Sequence, residues 1–367
     1  MANDRVSAAS RTKLARSVLQ KNLQVRSGEH VTVEGWTHTL PWAVAFAREA
    51  RRMGAQPLIL YEDESAYWDS VDNGELGVLG KPARHEWAAL GETDVYVHMW
   101  GPGDRVRLNQ LPDEKGNRIF EFNNKWYSAA AKAGLRGARM EIGRIYPSLV
   151  RAYGVRESKW QQDVIQGTLV DPNFLAKAAA PLVRALSRGT KLRIHDDKGT
   201  DLTLGLAHRK VQVSRGRTSP ADRKRPFNVL VTLPSGAVRV ALDESVADGT
   251  LVGNRTCYYD DGIATGATFR FRAGKLTDAE FDRGGERFSE PFKAAGKGRD
   301  QPGWLGIGLN PALNNTPQLE DVEQGAITVS VGGNRNLGGR NEARFFGWVV
   351  NAGATVEVDG TALKLGN

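Results

Sequence analysis

A strand, a helix and a second strand follow one another near the start of the chain, and this pattern restricts the fold more than any other feature. HVTVEGW is typical of a short strand, LPWAVAFAREARRMGA of a helix with Pro41 in its first turn and Gly54 as its stop signal, and PLILY of another strand. Strand, helix and strand at this spacing predict a βαβ unit and a parallel sheet, which DVYVHMWG at 94–101 extends.

The character of the sequence changes after residue 188. Short alternating runs such as KLRIHDD, FNVLVTL and AITVSVGG are then separated by Gly and Asp turns, which is typical of β structure. A chain of 367 residues also exceeds the usual size of one hydrophobic core. We therefore expect an N-terminal α/β domain with a mainly parallel sheet at 1–188 and a β-rich domain with a cavity at 189–367.

The stretch NEARFFGWVVNAGATVEVDGT, at 341–361, predicts a β-hairpin, because alternating apolar residues lead through a Gly-containing turn into a second run. Side chains of a strand alternate between its two faces, so Phe346, Trp348 and Val350 share one face. If that face lines a cavity rather than a core, its rings describe a binding site.

Charge and cysteine content restrict the setting in which the chain works. A net charge of +8 favours anionic neighbours, and the basic segment at 209–225 is either a solvated loop or a guide for an anionic ligand. Nucleic acid is not expected, since no recognition motif accompanies the charge. A single cysteine, Cys257, fits a reducing compartment, and the chain has no signal-peptide core and no apolar run of bilayer length. We expect a cytoplasmic protein.

Motifs that define common catalytic sites are missing from the sequence. It contains no G-x-S-x-G, H-E-x-x-H or P-loop motif, and one cysteine does not build a thiolate zinc site. All six histidines precede residue 209, so the last part of the β-rich domain has no imidazole.

Several segments, in order, resemble the aminopeptidase T family of metalloaminopeptidases. They are LQVRSGEHVTVEG, FAREARRMGAQPLI and RIYPSLVRAYGV in the first half, and GTDLTLGLAHRK, VTLPSGAVRVALDESVADGTLVGN, GWLGIGLNPALNN and EDVEQGAITVSVGGN, followed by the 341–361 stretch, in the second. The resemblance covers almost the whole chain. It implies an α/β domain followed by a β-rich domain, and a homodimer.

In that family the second domain holds two cocatalytic metal ions through carboxylates and histidines, and the ions activate a water that attacks an N-terminal peptide bond. At the matching positions this chain has Ala237 in place of the first carboxylate and Trp304 in place of the glutamate of a Gly-Glu pair. Thr328 stands where the resemblance implies a histidine.

The last implied ligands, a His-x-Asp pair, fall on Phe346 and Trp348, and one acidic ligand is matched by Glu320 or Asp321. At most one or two anionic donors remain, whereas even a single transition metal normally takes three protein ligands. We therefore expect no metal and no other cofactor.

A second branch of the same fold family, the 2,5-dihydroxypyridine dioxygenases, holds one ferrous ion with histidines and a carboxylate and opens an aromatic ring. GWLGIGLNP resembles a strand of that branch, but its histidine falls on Trp304 and the final His-x-Asp is again absent.

The aromatic residues at these positions have two interpretations. Trp304, Phe346 and Trp348 either form a stacking site for a flat ligand or fill the space that metals and water would occupy. Ala237 and Thr328 line the same region, as the resemblance implies.

Charged residues near these rings supply the remaining candidates. Arg239, two residues after Ala237 on the same strand face, and Arg335, beside the Gly-rich turn VGGNRNLGGRN, are expected to neutralise an anionic substrate. Asp321 or Glu320 is expected to move protons if it is buried beside aromatic rings, because burial raises the pKa of a carboxyl group.

These residues favour a divergent aminopeptidase T-like enzyme that lacks the cocatalytic metal pair. Its expected chemistry is hydrolysis, or a related acid-base step, on a small anionic or aromatic substrate. Two alternatives stay open at this point: a ring-cleaving oxygenase of the 2,5-dihydroxypyridine dioxygenase type, and a non-catalytic ligand-binding or scaffold protein.

Overall fold

The structure, a computed structural model, describes residues 6–365. The helices of this part are α1 (Ala8–Ser17), α2 (Leu40–Arg52), α3 (Glu64–Asn73), α4 (Arg84–Gly91), α5 (Arg105–Asn109), α6 (Asp113–Ala133), α7 (Pro147–Tyr153), α8 (Glu157–Leu169), α9 (Pro172–Arg188) and α10 (Glu286–Ala294). None of these helices is long and apolar enough to cross a membrane.

The strands of the described residues are β1 (His30–Trp36), β2 (Gln56–Glu62), β3 (Val95–Met99), β4 (Arg136–Met140), β5 (Lys191–His195), β6 (Asp201–Leu206), β7 (Gln212–Ser214), β8 (Leu230–Leu233), β9 (Ala237–Val252), β10 (Cys257–Tyr259), β11 (Gly262–Ala264), β12 (Thr268–Arg272), β13 (Lys275–Glu280), β14 (Pro302–Gly308), β15 (Ala326–Gly332), β16 (Phe346–Ala352), β17 (Thr355–Val358) and β18 (Thr361–Ala362). β10 and β11 form a separate pair.

Residues that are not continuous in sequence form each of two compact units. Unit 1 contains the chain up to Pro172 together with Gly216–Pro234, and unit 2 contains Asn173–Arg215 and the chain from Ser235 onward. These bounds differ from the expected division between 188 and 189, because α9 lies almost entirely in unit 2 and β8 belongs to unit 1. A boundary drawn along the sequence misses β8, which pairs with β4.

Unit 1 contains a parallel sheet with the strand order β2-β1-β3-β4-β8. β1, α2 and β2 coincide with the three segments of the predicted βαβ unit, and β3 extends the sheet as expected. On one face, Tyr96 and Leu230 pack with Trp126 and Leu135 in a buried cluster. The predicted α/β fold of this part is confirmed.

Unit 2 is built around an antiparallel sheet whose main path is β16-β15-β14-β9-β6-β5-β17-β18. The long strand β9 pairs with β14 and β7 near its start and with β6 and β12 near its end. Alternation sends one face of the strands into the core. The fully or almost fully buried residues of that face are Val238, Val240, Leu305, Ile307, Ile327, Val329, Val331 and Val349.

The predicted hairpin at 341–361 is wrong in its pairing. β16 pairs with β15, and β17 pairs with β5 at the other end of the sheet path, so the two runs do not pair with each other. Asn351, near the end of β16, fixes the place where the chain leaves β16 for β17, because its Nδ2 donates to Asp196 Oδ2 and to the carbonyl oxygen of Val252, both at 2.8 Å. Alternation identified both strands, but strand pairing depends on contacts distant in sequence.

Candidate functional site

One face of the unit 2 sheet carries the positions that the sequence singled out. Arg239 lies opposite Gly306 on β14, and Gly306 lies opposite Thr328 on β15, so the three residues share a face. The same alternation places Ala237, Trp304, Phe346 and Trp348 on this face, where Ala237 and Thr328 are fully buried and Phe346 is exposed. The predicted grouping of these residues on one surface therefore agrees with the strand register.

The segment 309–325, between β14 and β15, brings the carboxyl group of Glu320 to this region, and Glu323 anchors the segment. The two side-chain oxygens of Glu323 accept hydrogen bonds from Arg255, at 2.6 and 3.0 Å, and one of them also accepts the backbone N–H of Asn315 at 2.7 Å. Such a two-pronged pair holds a loop in one geometry. Leu319 and Val322 are buried, and Glu320 lies between them.

Glu320 is the most unusual polar group of this site, since only 4% of its surface is exposed. Its Oε1 accepts the Trp348 indole N–H at 3.2 Å and the backbone N–H of Tyr258 at 3.4 Å. Its buried Oε2 has no hydrogen-bond partner among the described residues. Burial, and then the negative charge of Asp321, raises the pKa of Glu320 to about 8, so this carboxyl group keeps its proton at neutral pH.

Aromatic rings surround this carboxyl group on one side. The Trp348 ring lies 5.1 Å from the Tyr259 ring and 5.9 Å from the Phe346 ring, measured between centroids, and the planes of Phe346 and Trp348 are only 29° apart. Phe346 is 59% exposed, which is high for a large apolar side chain. The stack therefore presents an accessible ring face, with the buried acid bonded to its inner member.

Arg239 and Asp321 form an ion pair at the edge of the same face. The Arg239 Nε donates to Asp321 Oδ2 at 3.2 Å, and its Nη2 also contacts that oxygen. The guanidinium carbon lies 6.0 Å from the centre of the Trp304 ring, which in turn covers Gly306. A Cβ at Gly306 would lie 2.8 Å from Trp304 Cζ3, so a residue without a side chain is needed beneath the ring.

Arg335, which we expected to neutralise an anionic substrate, is already paired with a carboxylate. Its guanidinium pairs with Glu342, and 65% of its side chain is exposed. Two cavities among the described residues are lined by residues other than these aromatic ones, one of about 540 Å³ beside Trp68 and one of about 560 Å³ beside Phe345.

The residues at this face do not fit the metal pair that the resemblance implies. Ala237 offers a methyl group, and Trp304, Phe346 and Trp348 offer rings, none of which binds a hard or borderline cation. Thr328 is buried and its hydroxyl oxygen has no partner among the described residues, but it is a single neutral donor. Within residues 6–365, no group of three or more His, Cys, Asp and Glu side chains is arranged to hold a metal ion.

The sequence interpretation did not connect the segment CYYDDG with Glu320 and Trp348. Cys257 is buried, and its Sγ lies 3.5 Å from the carbonyl oxygen of Trp348. Burial and the nearby Glu320 raise the pKa of Cys257 far above its usual range and that of Tyr258 to about 12. These groups therefore stay neutral. The only sequence signal for them was the cluster of aromatic residues beside the cysteine.

Comparison with solved structures identifies proteins of the same fold. Wild-type AmpT from Thermus thermophilus matches with a TM-score of 0.69 and 19% sequence identity over 97% of this chain and 97% of that chain. The 2,5-dihydroxypyridine dioxygenase from Pseudomonas putida KT2440 matches with a TM-score of 0.62 and 17% identity over 97% of this chain and 96% of that one. No protein-family model and no curated protein sequence matches the chain. The fold implied by the resemblance, in both of its branches, is confirmed.

Proposed function

We propose that unit 2 is an acid-base enzyme that acts on a small aromatic molecule, by hydrolysis or a related proton transfer, without a cocatalytic metal pair. The observation that supports this most is the buried carboxyl group of Glu320, which is neutral at pH 7 and has one oxygen without a partner among the described residues. A carboxyl group with a pKa near the working pH donates a proton and, once ionised, accepts one.

The adjacent rings suit the substrate class. Phe346 exposes a ring face beside Trp348, and flat rings bind such faces with about 1 kcal/mol beyond the burial of their area. An anionic substrate is supported less well than an aromatic one, because Arg239 and Arg335 already pair with carboxylates. We therefore favour a neutral aromatic substrate with a bond that is cleaved or rearranged by proton transfer at Glu320.

A direct test begins with the purified full-length chain and a panel of small aromatic amides and esters. Binding is followed by the shift of the melting temperature, and turnover of each binder is followed by chromatography of its products. Glu320→Gln should reduce turnover by about 10²-fold to 10⁴-fold with little effect on binding. Phe346→Ala should weaken binding several-fold, since it removes the exposed ring.

Matched controls separate this proposal from its alternatives. Glu280→Gln makes the same substitution at an exposed carboxylate of β13 that pairs with Arg270, and it should change neither binding nor turnover. Dialysis of the protein against a chelator should leave turnover unchanged. Turnover that needs a divalent ion would contradict the proposal, and so would tight binding without any turnover, which would indicate a ligand-binding protein.

The expected homodimer and the cytoplasmic location stay predictions. Sedimentation of the full-length chain over a range of concentrations tests the first, and fractionation of cells that express it tests the second.

A further inference from the structure

The parallel sheet of unit 1 has a strand order that favours a ligand site of its own. The order β2-β1-β3-β4-β8 reverses direction between β1 and β3. In open parallel sheets of this order, ligands bind beyond the carboxyl ends of the strands, near the point of reversal. Here Trp100 follows β3 directly, and Arg139 lies at the carboxyl end of the neighbouring strand β4.

Three guanidinium groups surround the Trp100 ring at this edge. Their central carbons lie 4.0 Å (Arg144), 4.8 Å (Arg139) and 5.4 Å (Arg105) from the ring centre. A carboxylate, Glu141, accepts the Trp100 indole N–H at 3.0 Å and contacts Arg144 Nε at 3.1 Å. Three positive groups therefore share one ring, and Glu141 contacts both that ring and Arg144.

Arg139 is the member of this group that points to a ligand. Its buried Nε has no hydrogen-bond partner among residues 6–365, although the charges of Glu141 and Glu34 act on the guanidinium. Its guanidinium lies against the rings of Trp100 and Tyr127, and its central carbon is 5.6 Å from the centre of the Tyr127 ring. A buried N–H of a cation without an acceptor destabilises a fold, because the lost hydration of that group is not replaced.

The acid that shares this row of the sheet, Glu34, is already bound by other groups. His98 is the register partner of Arg139 on β3, and Glu34 is the register partner of His98 on β1. Glu34 Oε2 accepts hydrogen bonds from His98 Nδ1 at 2.7 Å and from the Tyr96 hydroxyl at 2.9 Å. This carboxylate therefore orients His98, and it acts on Arg139 only through its charge, as Glu141 does, without a hydrogen bond to the guanidinium.

We propose that unit 1 binds the phosphate group of a small molecule at the Arg139 guanidinium, with Arg105 and Arg144 completing the positive surface around Trp100. A dianionic phosphate suits this site better than a single carboxylate, since three guanidinium groups face one ring and the fork of an arginine matches phosphate oxygens. The site belongs to a different unit from Glu320 and does not depend on the function proposed above.

The test uses inorganic phosphate as the probe, with sodium chloride at the same ionic strength as the reference. Phosphate should raise the melting temperature of the full-length chain, and titration calorimetry should give a saturable isotherm. Arg139→Met keeps the packing against Trp100, removes the charge, and should weaken phosphate binding about tenfold or more. Arg139→Lys keeps the charge but loses the fork, and should weaken binding by a smaller factor.

A control and a competing probe complete the experiment. Arg118→Met removes an exposed arginine of α6 that pairs with Glu121, and it should leave phosphate binding unchanged. The proposal is overturned if phosphate does not stabilise the wild-type chain, or if it stabilises Arg139→Met equally. Benzoate that stabilises the chain through Arg139 while phosphate does not would also overturn it, since the ligand group would then be a carboxylate. Should Arg139→Met not fold, unchanged phosphate binding in Arg139→Lys decides against the proposal.

Discussion

Replacement of Glu320 by glutamine should change how the stability of the chain depends on pH. The carboxyl group is buried, and its pKa is raised from the ordinary 4.5 to about 8, mainly by burial. In the unfolded chain the same group ionises near its ordinary value. Between these two values the folded chain holds a proton that the unfolded chain releases, so unfolding becomes more favourable as the pH rises. Glutamine keeps a neutral group in place and removes this effect.

The size of the effect follows from the two pKa values. Each pH unit between them corresponds to about 1.4 kcal/mol. From pH 5 to pH 8 the free energy of unfolding of Glu320→Gln should therefore rise by roughly 4 kcal/mol relative to the wild type. The stabilisation from the protonated carboxyl group is complete below pH 4.5 and is lost as the pH approaches 8, which is the sign expected for an acid with a raised pKa.

Urea unfolding at half-unit steps of pH measures this difference directly. Glu280→Gln, at an exposed carboxylate, should follow the wild type across the range. Trp348→Phe removes a hydrogen-bond donor that lowers the pKa of Glu320, so this pKa should rise. The free energy of unfolding of Trp348→Phe should therefore continue to fall with pH at values where that of the wild type has become constant. A constant difference between Glu320→Gln and wild type from pH 5 to pH 8 would refute the argument, because it would show that Glu320 is ionised in the folded chain.

Two further substitutions test neighbouring contacts. Asp321→Asn leaves the partly buried Arg239 without its carboxylate and should lower the free energy of unfolding by roughly 1–3 kcal/mol, as measured by urea unfolding. It should also lower the pKa of Glu320, because a nearby negative charge is lost, and the dependence of stability on pH measures this shift. Gly306→Ala places a Cβ 2.8 Å from Trp304 Cζ3 and should destabilise the chain by roughly 1–3 kcal/mol, whereas Gly116→Ala in α6, where a Cβ meets nothing within 4 Å, should not destabilise it.

Local pattern was sufficient for much of the fold. The segments of β1, α2 and β2 follow from short-range alternation and helix signals, which act within about ten residues. The break between α8 and α9 falls at Val170 and Asp171, whereas Pro181 lies inside α9 without ending it. The pairing of β8 and of β17 depends on strands far away along the chain, for which the sequence contains no local signal.

Part of the candidate site was also accessible from the sequence. Strand alternation alone placed Arg239 and Ala237 on one face. The sequence predicted a raised pKa for whichever of Glu320 and Asp321 is buried, and the structure shows that Glu320 is buried. The pairing of Arg239 with Asp321 was not predictable, because the side chains come from β9 and from the loop before β15. The arginines around Trp100 were missed for the same reason, since Arg105 begins α5, Arg139 lies in β4 and Arg144 ends the short 3-10 helix after β4.

Glu320 and Arg139 both stand where an uncharged residue of similar size would satisfy the surrounding structure better. Arg139 lies in β4 between the buried Ala138 and Met140, and Glu320 lies between buried apolar residues of its loop. Neutral replacements of such groups often stabilise a protein, so Arg139→Met and Glu320→Gln should each raise the unfolding free energy at pH 8. The two residues belong to different units and share no hydrogen-bond partner among the described residues, so the gains should add in the double variant. If the double variant is more stable than either parent and has lost both phosphate binding and turnover, the two groups are retained for binding and chemistry rather than for folding.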